Sequence, residues 1–349
     1  MGSIYKLILV VFIYIILTAG SFAQQDLAYV TNRDSGDISV IDTTTNLVVD
    51  TINVDVDAEP RGVAINASCS RLYVTLQDFD EVIVIDTLTN GIIATLGVGD
   101  EPFGVDVHPS GSPVYVTNRF DDDVSVINAN TNTVILPNIP VGDEPQGVTF
   151  SPLGTPAFVA NRRDDPGTVS VINTLTSTET TKIIVGTDDN EPRNIAFHPT
   201  GNPAFVPVSE DDEVAVINTP TNTQTTTIAV GDSPFFIVLT PDGSRGYVTN
   251  FRDDNVSVIS TLTNTETSTI PVVDRPTGIA MTPDGKRVYV ANEDNVVGTD
   301  DVVSVIDTDT NSVVDSITVG DKPWGIAICQ FIPPPPPLAM VPTLSEWGL

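Results

Sequence analysis

The sequence predicts an all-β protein made of seven similar units, and three observations support this prediction. A motif close to Tyr-Val-Thr-Asn recurs about every 42 residues, in copies that begin at Tyr29, Tyr73, Tyr115, Phe158, Phe205, Tyr247 and Tyr289. Three other short apolar segments accompany each copy. The chain also enters the repeat at one segment and leaves it at another. Units of this size bury their hydrophobic faces only by packing against each other.

Four short segments make up each unit, and all four are typical of β-strands. The first follows a proline, as in GVDV from Gly104, and the second is the Tyr-Val-Thr-Asn motif. The third is similar to VSVID, as at Val303, and the fourth is a run such as LVVDTI from Leu47. Such β-branched segments are too short for helices, and turn sequences such as TPDG from Thr240 separate them. Four antiparallel strands in each of seven units predict a seven-bladed β-propeller.

The two ends of the repeat region predict how the ring closes. The first strand, at Tyr29, is of the second type, whereas the last strand, Trp324 to Cys329, is of the first type. The unit with residues 27–54 therefore lacks its inner strand. We expect Ile326 to pair with the neighbourhood of Val30, because this pairing leaves few open sheet edges.

The repeated motif, with its VSVID-like and Gly-Asp-x-Pro segments, resembles the YVTN family of β-propeller repeat proteins over about residues 27–330. The resemblance implies a seven-bladed ring of a kind common in bacterial and archaeal surface and secreted proteins, and it implies no single activity. Two units depart from the family pattern, with Leu76 and Val208 at the usual Asn position.

The N-terminal residues 1–23 are predicted to be a secretory signal peptide. Lys6 gives a positive start, an apolar run extends from Leu7 to Leu17, and Ser21-Phe22-Ala23 has the small-x-small pattern of a cleavage site. The alternative is an uncleaved membrane anchor, for which the apolar run is short. The propeller is expected to occupy residues 24–330, and the mature protein to be secreted or attached to the cell surface.

The C-terminal residues predict a spacer followed by the start of a sorting signal. Residues 331–340 contain Pro333 to Pro337, which predicts a stiff polyproline II linker. Residues 341–349, VPTLSEWGL, resemble the start of an IPTL-type sorting signal of exosortase-like bacterial systems. In those signals a hydrophobic helix and a basic cluster follow the motif, whereas this sequence stops at Leu349 before either. The alternative is an ordinary tail with a chance match.

The charge balance is strongly acidic, with 46 Asp and Glu against 15 Lys and Arg and a net charge of −31. Nucleic acid is therefore not an expected partner, because phosphate recognition requires a basic surface. The acids concentrate in loops expected on one face. They are explained by turn preference, solubility and Arg–Asp pairs between blades, or by a calcium-binding surface. The best candidate metal ligands are Asp121, Asp122, Asp123, Glu293, Asp294, Asp300 and Asp301.

One repeat position, between the loop proline and the inner strand, is expected at the mouth of the central channel. It varies between units, whereas structural positions tend to be uniform, so it is the candidate ligand-binding ring. The alternative is ordinary channel lining. Its members are Arg61, Phe103, Gln146, Arg193, Phe235, Thr277 and Trp324.

The other chemically interesting residues favour structural roles. His108 and His198 both precede a turn proline, so they are interpreted as turn residues, and no nucleophile elbow, phosphate loop or zinc spacing occurs in the sequence. Asp106 is the one acid at its inner-strand position, which indicates a hydrogen-bonded residue or a tuned acid–base group. Cys69 and Cys329 fall in neighbouring blades on the same face, so they are a possible disulfide in an exported protein.

The function predicted from these observations is a non-enzymatic, exported binding module for a protein or a surface polymer, without a cofactor except possible calcium. Two alternatives stay open. One is an enzyme of lactonase or lyase type, since lactonases and the streptogramin lyase use propeller scaffolds with a site at the channel mouth. The other is a surface-layer protein that associates with itself.

Overall fold

The computed structural model of the protein describes residues 26–186, 190–293 and 301–330. These residues form 28 β-strands and two short 3-10 helices, Gln77–Phe79 and Ser209–Asp211. Within these ranges no helix combines the length and hydropathy of a membrane span. The predicted signal peptide, the proline linker and the residues that resemble a sorting signal lie outside the described residues.

The strands form seven antiparallel four-stranded sheets, so the predicted seven-bladed propeller is confirmed. Blades are numbered here from the N-terminus, and strands β1–β28 in chain order. Blade 1 contains β28 (Pro323–Gln330), β1 (Asp26–Asn32), β2 (Asp37–Asp42) and β3 (Leu47–Asn53). Blade 2 contains β4 (Pro60–Ile65), β5 (Arg71–Leu76), β6 (Glu81–Asp86) and β7 (Gly91–Gly97). Blade 3 contains β8 (Pro102–Val107), β9 (Val114–Asn118), β10 (Asp123–Asn128) and β11 (Thr133–Pro140).

The remaining blades repeat this arrangement. Blade 4 contains β12 (Pro145–Phe150), β13 (Ala157–Asn161), β14 (Thr168–Asn173) and β15 (Thr178–Ile184). Blade 5 contains β16 (Ala196–Phe197), β17 (Ala204–Val208), β18 (Glu213–Asn218) and β19 (Thr223–Ala229). Blade 6 contains β20 (Pro234–Leu239), β21 (Arg245–Asn250), β22 (Asn255–Ser260) and β23 (Thr265–Pro271). Blade 7 contains β24 (Pro276–Met281), β25 (Arg287–Asn292), β26 (Val302–Asp307) and β27 (Ser312–Thr318).

Blade 1 is assembled from both ends of the described chain. Strand β28 pairs antiparallel with β1, and Val30 lies opposite Ile326 in the register that the sequence predicts. A disulfide joins Cys69 in blade 2 to Cys329 in blade 1, with the two Cα atoms 5.8 Å apart and a sequence separation of 260. A cross-link over a loop of this length contributes about 5 kcal/mol in the chain-entropy model.

The hydrophobic core is divided among the interfaces between blades. Seven clusters of buried side chains each combine residues from two neighbouring blades. One of them packs Val30 and Ile41 of blade 1 against Tyr289 and Val305 of blade 7, where the ring closes. Because burial of apolar surface is the main favourable contribution to folding, each blade is stabilised by its neighbours.

The threonine of the repeated motif connects neighbouring blades. A β-bulge between Pro102 and Val105 displaces Gly104 from the regular ladder, and Gly104 N donates to Thr117 Oγ1 at 2.8 Å. The same hydroxyl donates to the carbonyl of Gln146 in blade 4 at 2.7 Å. A Cβ on Gly104 would lie 2.1 Å from that carbonyl oxygen, so the close approach requires glycine. Thr31, Thr75 and Thr249 make equivalent bonds.

Units without this threonine use other donors at the same interfaces. In blade 7, where Ala291 replaces it, Thr277 Oγ1 donates to Pro323 O of blade 1 at 2.9 Å. In blade 5, where Pro207 replaces it, Ser209 Oγ donates to Pro234 O of blade 6 at 2.8 Å. The hydrogen bond between blades is therefore kept although the residue that donates it changes.

We expect Thr117→Val to lower the free energy of unfolding by about 1–3 kcal/mol, because it leaves Gly104 N and the Gln146 carbonyl without their buried partner. The exposed Thr131→Val is the matched control, with an expected change within about 0.5 kcal/mol. Urea denaturation measures both, and equal stability of the two variants would contradict this role.

Candidate functional site

The seven inner strands surround a cavity of about 390 Å³ in the centre of the ring. Five of the seven residues predicted at the channel mouth line this cavity: Phe103, Gln146, Arg193, Phe235 and Trp324. Each stands directly after a proline, at the start of an inner strand or of its blade's innermost segment. The volume lies within the range of small-molecule binding sites.

Aromatic side chains close one end of the cavity. The ring of Trp324, from blade 1, makes edge contacts with Phe103 of blade 3 and Phe235 of blade 6, with centroids 5.8 Å and 5.9 Å apart. Phe251 stacks on Phe235 at 5.1 Å. These rings pack into one buried cluster with Phe236 at its edge. The indole of Trp324 therefore spans the mouth, which is covered by an aromatic lid in this structure.

Two of the predicted arginines lie over this lid. The guanidinium of Arg61 is 4.7 Å from the Trp324 ring centroid and 5.2 Å from that of Phe103. Arg193 lies 4.4 Å from the Phe235 ring. Such cation–π contacts gain strength where water is excluded. Burial lowers the pKa of both arginines to about 10, so both stay charged at neutral pH.

A chain of arginine–glutamate ion pairs follows the mouth from blade 3 to blade 5. Arg119 bridges Glu101 and Glu144 at 3.1 Å and 2.9 Å. Arg162 bridges Glu144 and Glu191 at 2.8 Å and 2.6 Å, and Glu191 also pairs with Arg193. Burial raises the pKa of Glu144, but Arg119 and Arg162 outweigh this effect and hold it below its ordinary value. The expected pairs between blades thus use glutamate here.

The other predicted mouth residues differ in role. Gln146 accepts a hydrogen bond from Arg193 Nη1 at 3.2 Å, so it helps to orient that arginine. Thr277 is buried, and its hydroxyl donates hydrogen bonds to the carbonyl oxygens of Pro323 and Ala291. The structure therefore brings together Arg61, Phe103, Gln146, Arg193, Phe235 and Trp324, and directs Thr277 into the blades. Ligand binding at this mouth stays a prediction.

A second ring of mouth residues was missed by sequence reasoning. It occupies the position directly after the four-residue motif and supplies Arg119, Arg162 and Phe251 to the contacts above. Arg33 belongs to it as well, and its guanidinium lies 5.8 Å from the Trp324 ring and 3.6 Å from Glu293. The signal was available, since this position varies as much as the predicted ring: Arg33, Gln77, Arg119, Arg162, Ser209, Phe251 and Glu293.

The predicted metal ligands that the structure describes bind separate partners. Asp121 accepts from the backbone N–H of Asp100 at 2.9 Å, and Asp122 from that of Glu144 at 2.9 Å. Asp123 accepts from the side chain of Asn118 at 2.6 Å. The bonds of Asp121 and Asp122 connect the loop between the second and third strands to a loop that precedes an inner strand, whereas that of Asp123 joins the second and third strands of blade 3.

The long loop of blade 7 is described only at its ends. Asp301 accepts from Lys322 N at 2.7 Å, and Glu293 faces Arg33. Asp294 and Asp300 lie outside the described residues. Within the described part of the chain, no three His, Cys, Asp or Glu residues come together as a group that could hold a metal ion. Calcium binding at this face stays a prediction.

Asp106 lines the cavity and bridges two blades. Its carboxylate accepts from Val107 N and from Phe150 N in blade 4, both at 2.8 Å. Burial raises its pKa from 3.8 to about 7, although the two N–H donors act in the opposite direction. No arginine, lysine or histidine in the described residues forms an ion pair with it.

The two histidines lie in turns between the first and second strands of their blades. His108 Nδ1 accepts from Ser110 N at 3.1 Å, and His198 Nδ1 accepts from Thr200 N at 3.2 Å. Each ring therefore closes its own turn, in keeping with the interpretation from the sequence.

No family model matches the chain, and no curated protein matches it. Solved structures with the same fold include a functionally unknown protein from Desulfotomaculum acetoxidans (TM-score 0.75, 20% identity, 87% of this chain and 99% of that one). Kuenenia stuttgartiensis hydrazine synthase gives a TM-score of 0.69 at 20% identity, over 78% and 96%. Dihydro-heme d1 dehydrogenase NirN, in complex with DHE, gives 0.64 at 13%, over 86% and 74%. These similarities show the propeller fold alone, and the resemblance to the YVTN family stays a prediction.

The raised pKa of Asp106 predicts a specific pH dependence of stability. The carboxyl group of Asp106 holds its proton more tightly in the folded protein than in the unfolded chain. The protonated form therefore contributes stability at low pH, and this contribution is lost as pH rises from about 4 to about 7. Asp106→Asn has no proton to lose. Its stability relative to wild type should therefore increase by roughly 3 kcal/mol between about pH 5 and about pH 8. Urea denaturation of both proteins tests this, and parallel pH profiles would contradict it.

Proposed function

We propose that this protein is an exported, non-enzymatic binding propeller whose acidic rim receives a cationic partner. The acidic rim is defined as the exposed carboxylates of the loops between second and third strands and of the loops that precede the inner strands. The backbones of these two kinds of loop are hydrogen-bonded to each other, as Arg119 N is to Glu101 O at 3.0 Å, so they share one face. The rim comprises Asp55, Asp57, Asp78, Asp80, Asp100, Asp121, Asp122, Asp143, Asp165, Glu210, Asp212, Asp253 and Asp274.

The observation that carries this proposal is the separation of charges on that face. Four arginines turn toward the mouth, where they form ion pairs with glutamates or lie over aromatic rings. They are Arg61, Arg119, Arg162 and Arg193. The carboxylates further out stay exposed, and they outnumber the two exposed arginines of these loops, Arg163 and Arg252. A partner that approaches this face therefore meets negative charge first, on a molecule with a net charge of −31. Such a field favours rapid association with a cationic surface and depends on salt.

Export and attachment are supported by the sequence of the two ends. The predicted signal peptide, the proline linker and the similarity to a sorting signal together suggest a propeller presented at or beyond the cell surface. There the partner would be a basic protein or a cationic surface polymer. The disulfide between Cys69 and Cys329 fits an oxidising compartment.

A charge-matched pair of variants tests the rim as a binding face. We expect Asp78→Asn with Asp100→Asn to weaken binding of a decalysine peptide by about tenfold at low ionic strength, because two exposed charges are lost from the rim. Asp309→Asn with Asp315→Asn removes the same charge from exposed residues outside the rim and should change the affinity less than twofold. Isothermal titration calorimetry measures both.

The salt dependence provides the second criterion. Binding to the wild type should be lost at about 1 M salt, where the Debye length is about 3 Å. Equal loss in the two double variants would show attraction to total charge only, and would contradict the rim as the docking face. Binding that is unaffected by salt would also contradict it.

A further inference from the structure

We propose that the central cavity beneath the aromatic lid binds a small organic cation, with Asp106 as its counter-ion and Phe236 as an aromatic wall. This inference concerns the interior of the ring and is independent of the rim function proposed above.

The first argument is the uncompensated charge in the cavity. Asp106 is the one carboxylate among the described cavity-lining residues, and the other inner strands have Ala, Thr or Val at its position. Its partners are two backbone N–H groups, which orient the carboxylate without neutralising it. A half-buried carboxylate that has no cation beside it is only partly hydrated, so a bound ammonium group would gain an ion pair with it.

The charge of the second ionic residue in the lining is already satisfied. Arg193 donates to Gln146 Oε1 and to Ser209 Oγ, and it pairs with Glu191. Its guanidinium also lies over Phe235. Asp106 is therefore the charged residue of the described lining that has no oppositely charged partner, and the cavity carries its negative potential.

The second argument is the aromatic wall. Phe236 replaces the glycine that most inner strands have at its position, and its half-buried ring lines the cavity. It contacts the edge of Trp324 at 6.4 Å between centroids. Arginines already lie over Trp324, Phe103 and Phe235. Aromatic faces and a carboxylate are the two groups that recognise organic ammonium ions in proteins.

The third argument is the position of these groups around the ring. Asp106 belongs to blade 3 and Phe236 to blade 6, so they lie on opposite sides of the channel axis. A ligand in a cavity of about 390 Å³ would therefore be enclosed between them. The arrangement favours a compact amine with a short apolar part over a metal ion, which prefers several oxygen ligands.

The direct test compares n-butylammonium with n-butanol, its neutral counterpart, by isothermal titration calorimetry on the whole protein at about pH 8, where Asp106 is ionised. We expect saturable binding of n-butylammonium to the wild type, at least about tenfold tighter than that of n-butanol. Equal affinity for the two molecules would show an apolar cavity only and would overturn the proposal, as would absence of binding by either. Displacement by equimolar Na⁺ or Ca²⁺ would show an inorganic cation site and would also overturn it.

Variants locate the site. Asp106→Asn should abolish the preference for n-butylammonium, whereas Asp100→Asn, which removes a rim carboxylate, should retain it. Phe236→Leu keeps the ionic partner and should reduce n-butylammonium affinity severalfold, so the test stands even if the Asp106 variant folds poorly. Circular dichroism establishes that each variant is folded. A folded Asp106 variant with unchanged preference, or equal loss in the Asp100 variant, would contradict the assignment.

Discussion

The pairing of β28 with β1 is the constraint on which the rest of the structure depends. It places Ile326 beside Val30 and completes blade 1, whose side chains then bury those of blade 7. Because each blade is stabilised mainly by its neighbours, an open ring would expose two apolar faces at once. The same strand carries Trp324, whose ring reaches across the mouth to Phe103 and Phe235. The lid and the ring closure are therefore two results of one strand pairing.

The hydrogen bonds between blades explain why the repeated motif contains threonine. The bulge in the inner strand leaves an N–H without a ladder partner, and the hydroxyl of Thr31, Thr75, Thr117 or Thr249 satisfies it while it donates to the next blade. A buried backbone donor without a partner is costly, so the interface needs a hydroxyl or an equivalent contact. Thr277 and Ser209 show that the second of these bonds, to a carbonyl of the next blade, can be donated from another position.

The sequence predicted the fold well because the relevant signals are repeated. Seven copies of a motif, with turns between them, indicated the blade number, the strand types and the partner of Ile326, and the structure confirms these. The mouth was predicted less completely. Thr277 occupies the expected position, but its hydroxyl is taken by the carbonyls of Pro323 and Ala291. No pattern along the chain shows which way such a side chain will turn, since the next blade supplies its partner.

The charged residues illustrate the same limit. Arg119 and Arg162 were visible as bases in acidic loops, but the pairs of Arg119 with Glu144 and of Arg162 with Glu191 cross from one blade to the next. Likewise Asp122, a candidate metal ligand in the sequence, accepts a hydrogen bond from the backbone N–H of Glu144. Composition indicated an acidic face, whereas the separation into a paired inner ring and an exposed rim depends on distances of a few ångströms across blade boundaries.

Amide hydrogen exchange of the native protein tests the ring closure most directly. If β28 completes blade 1, the amide of Ala327, which faces β1, should exchange as slowly as those of Tyr29 and Val40, through the same global opening. Exchange of the β28 amides at rates typical of a frayed end, with the centre of blade 1 still protected, would contradict the account.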